Sequence, residues 1–293
     1  MKNSKSSIDK LIGLLEEKSE TKNYKDDRFW RPEQDKSGNG FAIIRFLPGV
    51  DNDIPIVQLN SHAFQGPGGW YIENCLTTIG QKDPVVELNT MLWNSGLDSD
   101  KDIARQRKIK KHWIANVYVV SDPANPQNEG KVFLFKFGAQ IKDMLVTAMK
   151  PEFEQDDKIN VCSIDEDGAN FRIKIKRENG YITYKYSKFD TQSELTKDSA
   201  VKDRILKAQY ALKPFNEPSN FKSYDELKSR MNEVLGGDIR GVAAAQKTAE
   251  DVADELVEKK PNLKTKKQPE KPAEQDVDDE TDALEYFQRL AKE

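Results

Sequence analysis

Two cysteines and two histidines in 293 residues set the first limits. Cys75 and Cys162 cannot form a disulfide framework, and nothing points to an oxidising compartment. So few histidines narrow metal and acid–base chemistry severely, although carboxylate chemistry stays open. No run reaches the roughly 18 apolar residues of a membrane span, and Met1-Lys2-Asn3 opens no secretory apolar stretch. The expectation is a soluble chain made in a cytoplasm, with no membrane partner. Also missing are a Walker A run, a nucleophile elbow, an HExxH pair and a Cys-x-x-Cys pair. Gly38-Asn39-Gly40 is a turn rather than a phosphate loop. The chain is not read as an enzyme.

Net positive charge is lacking as well. The chain carries −4 overall, which argues against a uniformly basic nucleic-acid binder. The mean hides segregation. Lys101, Arg105, Arg107, Lys108, Lys110 and Lys111 face the single acid Asp102 before Trp113, whereas Glu274 to Glu285 holds seven acids and no base. Opposite blocks of this kind point to a polyanion site and a segment that mimics the polyanion. The plainer reading of each block is a solvated face.

A mean hydropathy of −0.78 is too polar for one compact domain using the whole chain. Residues 1–20 read as an arm, with Ile8, Leu11, Ile12 and Leu15 on one helical stripe behind Ser6 or Ser7 as cap. One stripe on so short a helix needs a surface to fold against. Residues 21–240 read as the core. Strands are expected over FAIIRFLP (41–48), WIANVYVV (113–120) and KVFLFKFG (131–138). FRIKIKR (171–177) alternates, and Asn179-Gly180 turns it into YITYKY (181–186) as a two-residue hairpin. Ile141, Met144, Leu145, Ala148 and Met149 switch to helical period. Helices are expected over 193–212 and 223–235, the second with Ser223 and Glu226 at capping-box spacing and Gly236 as stop. Residues 241–293 read as a flexible Lys-rich linker and acidic tail, ending in the stripe Leu284, Phe287, Leu290. The class is α+β, mostly β with helices.

A binder of single strands needs cations for phosphates and flat rings for unstacked bases. The segment ARQRKIKKHW supplies that mixture before strand 113–120. The hairpin adds Arg172, Lys174, Lys176 and Lys185 with Tyr181, Tyr184 and Tyr186. Alternate residues on one strand face stand about 6.8 Å apart, close to the phosphate spacing of an extended strand. The bland alternative is that any alternating strand has a polar outer face. Phe133, Phe135 and Phe137 share one face and read as core.

GNGFAIIRFLP, WYIENC, DPANPQNEGKVF, FGAQIKD, DGANF, SKF and FKSYDEL occur in this order. Together they resemble the single-stranded DNA-binding, helix-destabilising proteins of T-even-type bacteriophages, over roughly residues 36–237 with a poor stretch near 81–100. The resemblance implies an OB-fold core holding single-stranded DNA without sequence preference. It implies an N-terminal arm, here Lys5-Ser6-Ser7, that carries cooperative head-to-tail self-association into a filament. It also implies an acidic tail, here Asp278 and Asp279 with Leu284, Phe287 and Leu290. That tail would recruit replication polymerase, helicase-loading and recombination proteins in the host cytoplasm. Cleft residues carried over are Arg45, Trp70, Tyr71, Lys108, Lys110, Trp113, Lys136, Tyr181 and Tyr184. Arg107 and Lys111 complete the basic run, and Phe135 stands where the family has Tyr. The family holds zinc through one His and three Cys. His62 and Cys75 match, but the other two positions align near Asp83 and Val86, and Asp83 with Glu87 would make only a weaker oxygen-rich site. The expectation is therefore that zinc is lost and no cofactor is bound. The expected work is in DNA replication, recombination and repair. The alternative is an interaction scaffold whose arm and tail are the functional elements.

Overall fold

Strand β4 (Lys110–Ser121) is the spine of the fold, and its length explains the sheet's curl. The β5 strand (Val132–Phe137) lies antiparallel along residues 113–118 of one edge. The other edge is shared end to end: β2 (Ile56–Gly66) pairs with 110–115 and β1 (Gly40–Phe46) with 117–121. A register break between Ile43 and Ile44 bends β1 across this spine, as a bulge does. Beyond β2 lies β3 (Gly69–Asn74). Beyond β1 lie β6 (Phe171–Glu178), β7 (Tyr181–Thr183) and the short β8 (Lys188–Phe189). The result is an antiparallel, curled half-barrel of eight strands, an α+β arrangement consistent with an OB-like core. This computed structural model describes residues 26–50, 53–153 and 155–237, and residues 28–237 belong to one compact unit.

Alternation fills the concave face. Ala42, Ile44 and Phe46 of β1, Ala115, Val117 and Val119 of β4, Phe135 and Phe137 of β5, and Phe171, Ile173 and Ile175 of β6 form the main core. Ile141 and Leu145 of helix α3 (Ala139–Met149) close it. Each buried Val, Ile, Leu or Phe side chain among them contributes ~1.5–3 kcal/mol by leaving water. A second core sits on the β2–β3 hairpin. Phe64 and Tyr71 are covered there by α1 (Pro84–Trp93), α2 (Asp98–Gln106) and α5 (Tyr224–Leu235) through Val85, Leu88, Leu92, Ala104, Leu227, Met231 and Val234.

The expected strands 41–48, 113–120 and 131–138 are present, as is the helix at 139–149, and the hairpin is present with a second strand that ends at Thr183 rather than Tyr186. Asn179 and Gly180 have φ of 50° and 86°, the left-handed pair that a two-residue hairpin turn requires. Ser223 and Glu226 make the capping box, and Gly236 ends α5 in the left-handed region. The expected helix 193–212 is shorter: α4 spans Ser199–Lys207, because Asp198 caps its start through the Ala200 and Val201 N–H groups. Strands β2 and β3 and helices α1 and α2 went unread. The arm residues Lys5, Ser6 and Ser7 and the tail residues Asp278, Asp279, Leu284, Phe287 and Leu290 lie outside the described residues. No helix among the described residues is long and apolar enough to cross a membrane.

Candidate nucleic-acid interface

The first turn of α3 joins two segments far apart in sequence. Gln140 Oε1 accepts the Tyr184 backbone N–H at 2.8 Å and lies 3.4 Å from the Thr183 hydroxyl. Lys142 places its ammonium 5.7 Å from the centroid of the Trp113 ring, while pairing with Asp143 at 2.5 Å. Trp113 and Tyr184 are both half-buried and pack against the main core. Tyr181, at the hairpin tip, is 60% exposed. An aromatic with one supported face is what base stacking uses, at ~1–3 kcal/mol per base.

Cations lie on both faces of this part of the sheet: Lys111 shares the Trp113 side of β4, whereas Lys110 and Lys136 lie with Ile114 on the other. Lys110 and Lys111 stand opposite Ser61 and Asn60 on β2, and Lys136 stands opposite Ile114. His112 lies between them. Burial first, then the charges of Lys136 and Lys110, push its pKa down to about 3, so the imidazole is neutral in a positive field. Lys108 and Lys136 are exposed. On β6, Arg172 bonds Asp190 through Nε, and Lys176 lies 3.3 Å from Glu178.

Four expected contact residues sit elsewhere. Arg45 is 0% exposed. Its guanidinium donates to Asn170 Oδ1 at 2.9 Å, the Ser163 carbonyl at 3.0 Å and the Ser193 carbonyl at 2.8 Å, stapling two loops onto β1. Gly168 lets that staple approach: a Cβ there would meet the Ser163 carbonyl oxygen at 2.2 Å and Arg45 Nη1 at 2.5 Å. Tyr71 is buried and stacks on Phe64 at 4.9 Å. Phe135 is buried between Trp30, Phe46 and Phe137. Arg107 is buried over the Phe64 ring. These four positions resemble family cleft residues or extend the basic run, but packing has claimed their side chains. Trp70 is half-buried on the β2–β3 hairpin, its carbonyl accepting from Arg230 of α5 at 3.1 Å. Gln140 and Lys142 went unnoticed, because two polar residues in a helix's first turn carry no distinctive signal.

A third feature concerns metal. His62 Nδ1 lies 3.0 Å from the Arg107 carbonyl, which can only accept, so Nδ1 carries the proton. Burial holds the ring neutral against the pull of Asp83. Nε2 therefore presents a lone pair, is buried, and has no hydrogen-bond partner. It faces Asp83 Oδ1 at 3.5 Å, and one donor atom each from His62, Cys75 and Asp83 lie within 4.8 Å of one another. An imidazole fixed by a carbonyl on its far nitrogen is the usual arrangement of a metal-ligating histidine. Asp83 also caps α1 through the Val85 and Val86 N–H groups and accepts from Leu76 N. Glu87 is outside this group, bonded to the Tyr224 hydroxyl at 2.6 Å. The expectation of a lost zinc counted two strong donors. The fold gathers three, and they fit a divalent cation with a fourth position that Val86 cannot fill.

Comparison with known proteins identifies a family. A family model described as gp32 DNA binding protein like matches residues 38–235. The single-stranded DNA-binding protein of Enterobacteria phage T2 is 35% identical over 233 residues, covering 78% of this chain and 77% of that protein. Its counterpart in Enterobacteria phage T4 is 34% identical over 233 residues, with the same coverage. A single-stranded DNA-binding protein of Escherichia phage SV14 is 47% identical over 55 residues, or 18% of this chain. The chain belongs to the gp32-like family of DNA-binding proteins.

Proposed function

We propose that this protein binds single-stranded DNA without sequence preference, through the surface that α3 assembles from β4 and the β6–β7 hairpin. The observation that carries the reading is the joint anchoring of Trp113 and Tyr184 by Lys142 and Gln140. Flat rings with Lys111 on the same side of β4 suit a strand whose phosphates and bases are both accessible. A protein that binds only the single-stranded form destabilises duplex by mass action, with no chemical step and no catalytic residue. Family membership supports this reading.

The finer roles extend it. Residues 1–20 would carry cooperative self-association along the strand, and the acidic tail would recruit replication polymerase, helicase-loading and recombination proteins in an infected host cytoplasm. Coating would protect exposed strands in replication, recombination and repair. His62, Cys75 and Asp83 would hold a divalent cation, which would supply a cross-link between β2, the segment after β3 and the start of α1. Asp83 orients that segment through Leu76 N and the helix N-terminus.

A competition titration between single-stranded and duplex oligonucleotides of one sequence tests the main claim. Preference for the single strand is expected; equal or tighter duplex binding would overturn it. Phosphate contacts release counterions, so affinity should also fall steeply with salt. A scaffold with an apolar protein interface would not show that fall.

A further inference from the structure

Beside the turn of the β6–β7 hairpin one carboxylate gathers three groups. Glu178 Oε1 accepts the Tyr186 hydroxyl at 2.6 Å and lies 3.3 Å from the Lys176 ammonium. The Lys185 ammonium bonds Glu178 Oε2. Both ammonium groups stand 5.1 Å from the centroid of the Tyr186 ring, which is 43% exposed. Glu178 is fully ionised at neutral pH: its bonds from Lys185 and Tyr186 hold the carboxyl down to about 2.

Two cations on one aromatic ring, with an anion between them, have the shape of a nucleotide subsite already filled. A phosphodiester oxygen pair carries the charge and acceptor geometry of a carboxylate, and Tyr186 offers a ring for the adjoining base. Exposed ion pairs of this kind are weak and exchange readily. We propose that Lys176, Lys185 and Tyr186 form a subsite for one nucleotide of a single strand, and that Glu178 occupies its phosphate position in the free protein. Binding exchanges the carboxylate for a backbone phosphate, and Glu178 swings to solvent. The carboxylate cancels one of the two lysine charges, which lowers affinity for polyanions at this spot and keeps Tyr186 in place when no strand is bound. The inference rests on the hairpin belonging to the DNA surface.

The test is a set of titrations with a short oligothymidylate, which holds one protein molecule, at several salt concentrations. Glu178→Gln keeps the side-chain volume and removes the charge. It should tighten binding about fivefold at low salt, and the gain should shrink as salt screens the ion pairs that the carboxylate makes in the free protein, which steepens the salt dependence. Lys176→Ala and Lys185→Ala should each weaken binding and flatten the slope. Tyr186→Leu should weaken it without changing the slope, whereas Tyr186→Phe, which keeps the ring, should not weaken it. If the lysine variants weaken binding but Glu178→Gln leaves affinity and slope unchanged or lowers them, the exchange proposal is overturned. If the lysine variants are silent too, the hairpin is not part of the DNA surface, and the reading beneath the proposal fails instead.

Discussion

Gln140 Oε1 accepts the Tyr184 backbone N–H at 2.8 Å, so a helix that closes the main core also fixes the exit of the β6–β7 hairpin. The same helix turn carries Lys142 over Trp113. Packing and binding are thus linked through one element: whatever seats α3 on Ile141 and Leu145 also sets where two stacking rings stand.

That linkage makes Gln140 a positioning residue. Gln140→Ala should weaken oligonucleotide binding by ~1 kcal/mol, the scale of one hydrogen bond, while the melting temperature stays nearly constant because the side chain is exposed. Titration and thermal denaturation on the same preparation check both halves. An unchanged affinity would show that the hairpin holds its own position.

Arg45 separates a fold role from a binding role. Replacing it with Leu leaves the Asn170 side-chain oxygen and the Ser163 and Ser193 carbonyls without their donor. A lost buried partner costs ~1–3 kcal/mol, so Arg45→Leu should destabilise the core by about 3 kcal/mol. Affinity per folded molecule should hold. Lost DNA binding with unchanged denaturant stability would return Arg45 to the contact surface.

Acid stability should depend on His112. Its folded pKa is pushed to about 3 from an ordinary 6.5, so between those values the unfolded chain binds a proton that the folded chain refuses. Stability is then full above about pH 7 and falls as pH drops toward 3. His112→Gln should flatten that acid limb. Denaturation midpoints across this range give the answer, and an equally steep limb in the variant would locate the titrating group elsewhere.

Cobalt is a direct probe of the His62, Cys75 and Asp83 donors. One Co²⁺ per chain should bind with a thiolate charge-transfer band, and Cys75→Ser should abolish the band. Burial, reinforced by Asp83, pushes the Cys75 thiol up to about 12, so binding must expel its proton and tighten about tenfold per pH unit below that value. Absence of the band together with no change in melting temperature would restore the expectation that the chain binds no metal.

The sequence shows most of the main core because the apolar runs 41–46 and 113–119 and the alternating stretch 171–175 are bounded by turn residues and read as strands. The hairpin turn was equally legible, since Asn-Gly is the pair that tolerates left-handed backbone. Strand β2 was not: IVQLNSHAFQG mixes Gln, Asn, Ser and His among its apolar residues, because His62 turns inward to Asp83 and Asn60 bonds the Thr77 side chain. Helix α1 was hidden by Pro84, which sits at its first turn where no backbone donor is needed. At the candidate site, chemistry-bearing residue types were visible but burial was not. Arg45, Tyr71 and Arg107 look like binding residues in one dimension, and only packing shows that loops, helices and neighbouring rings cover them, whereas Phe135 reads as core from the strand face that it shares with Phe133 and Phe137.

Photo-crosslinking reads most directly where a bound strand lies on the protein. A short oligothymidylate irradiated in complex with the full chain and mapped by peptide mass spectrometry should attach at Trp113, Tyr181 and Tyr184. Cross-links confined to Trp70 and the β2–β3 hairpin, with none at those three residues, would contradict that placement.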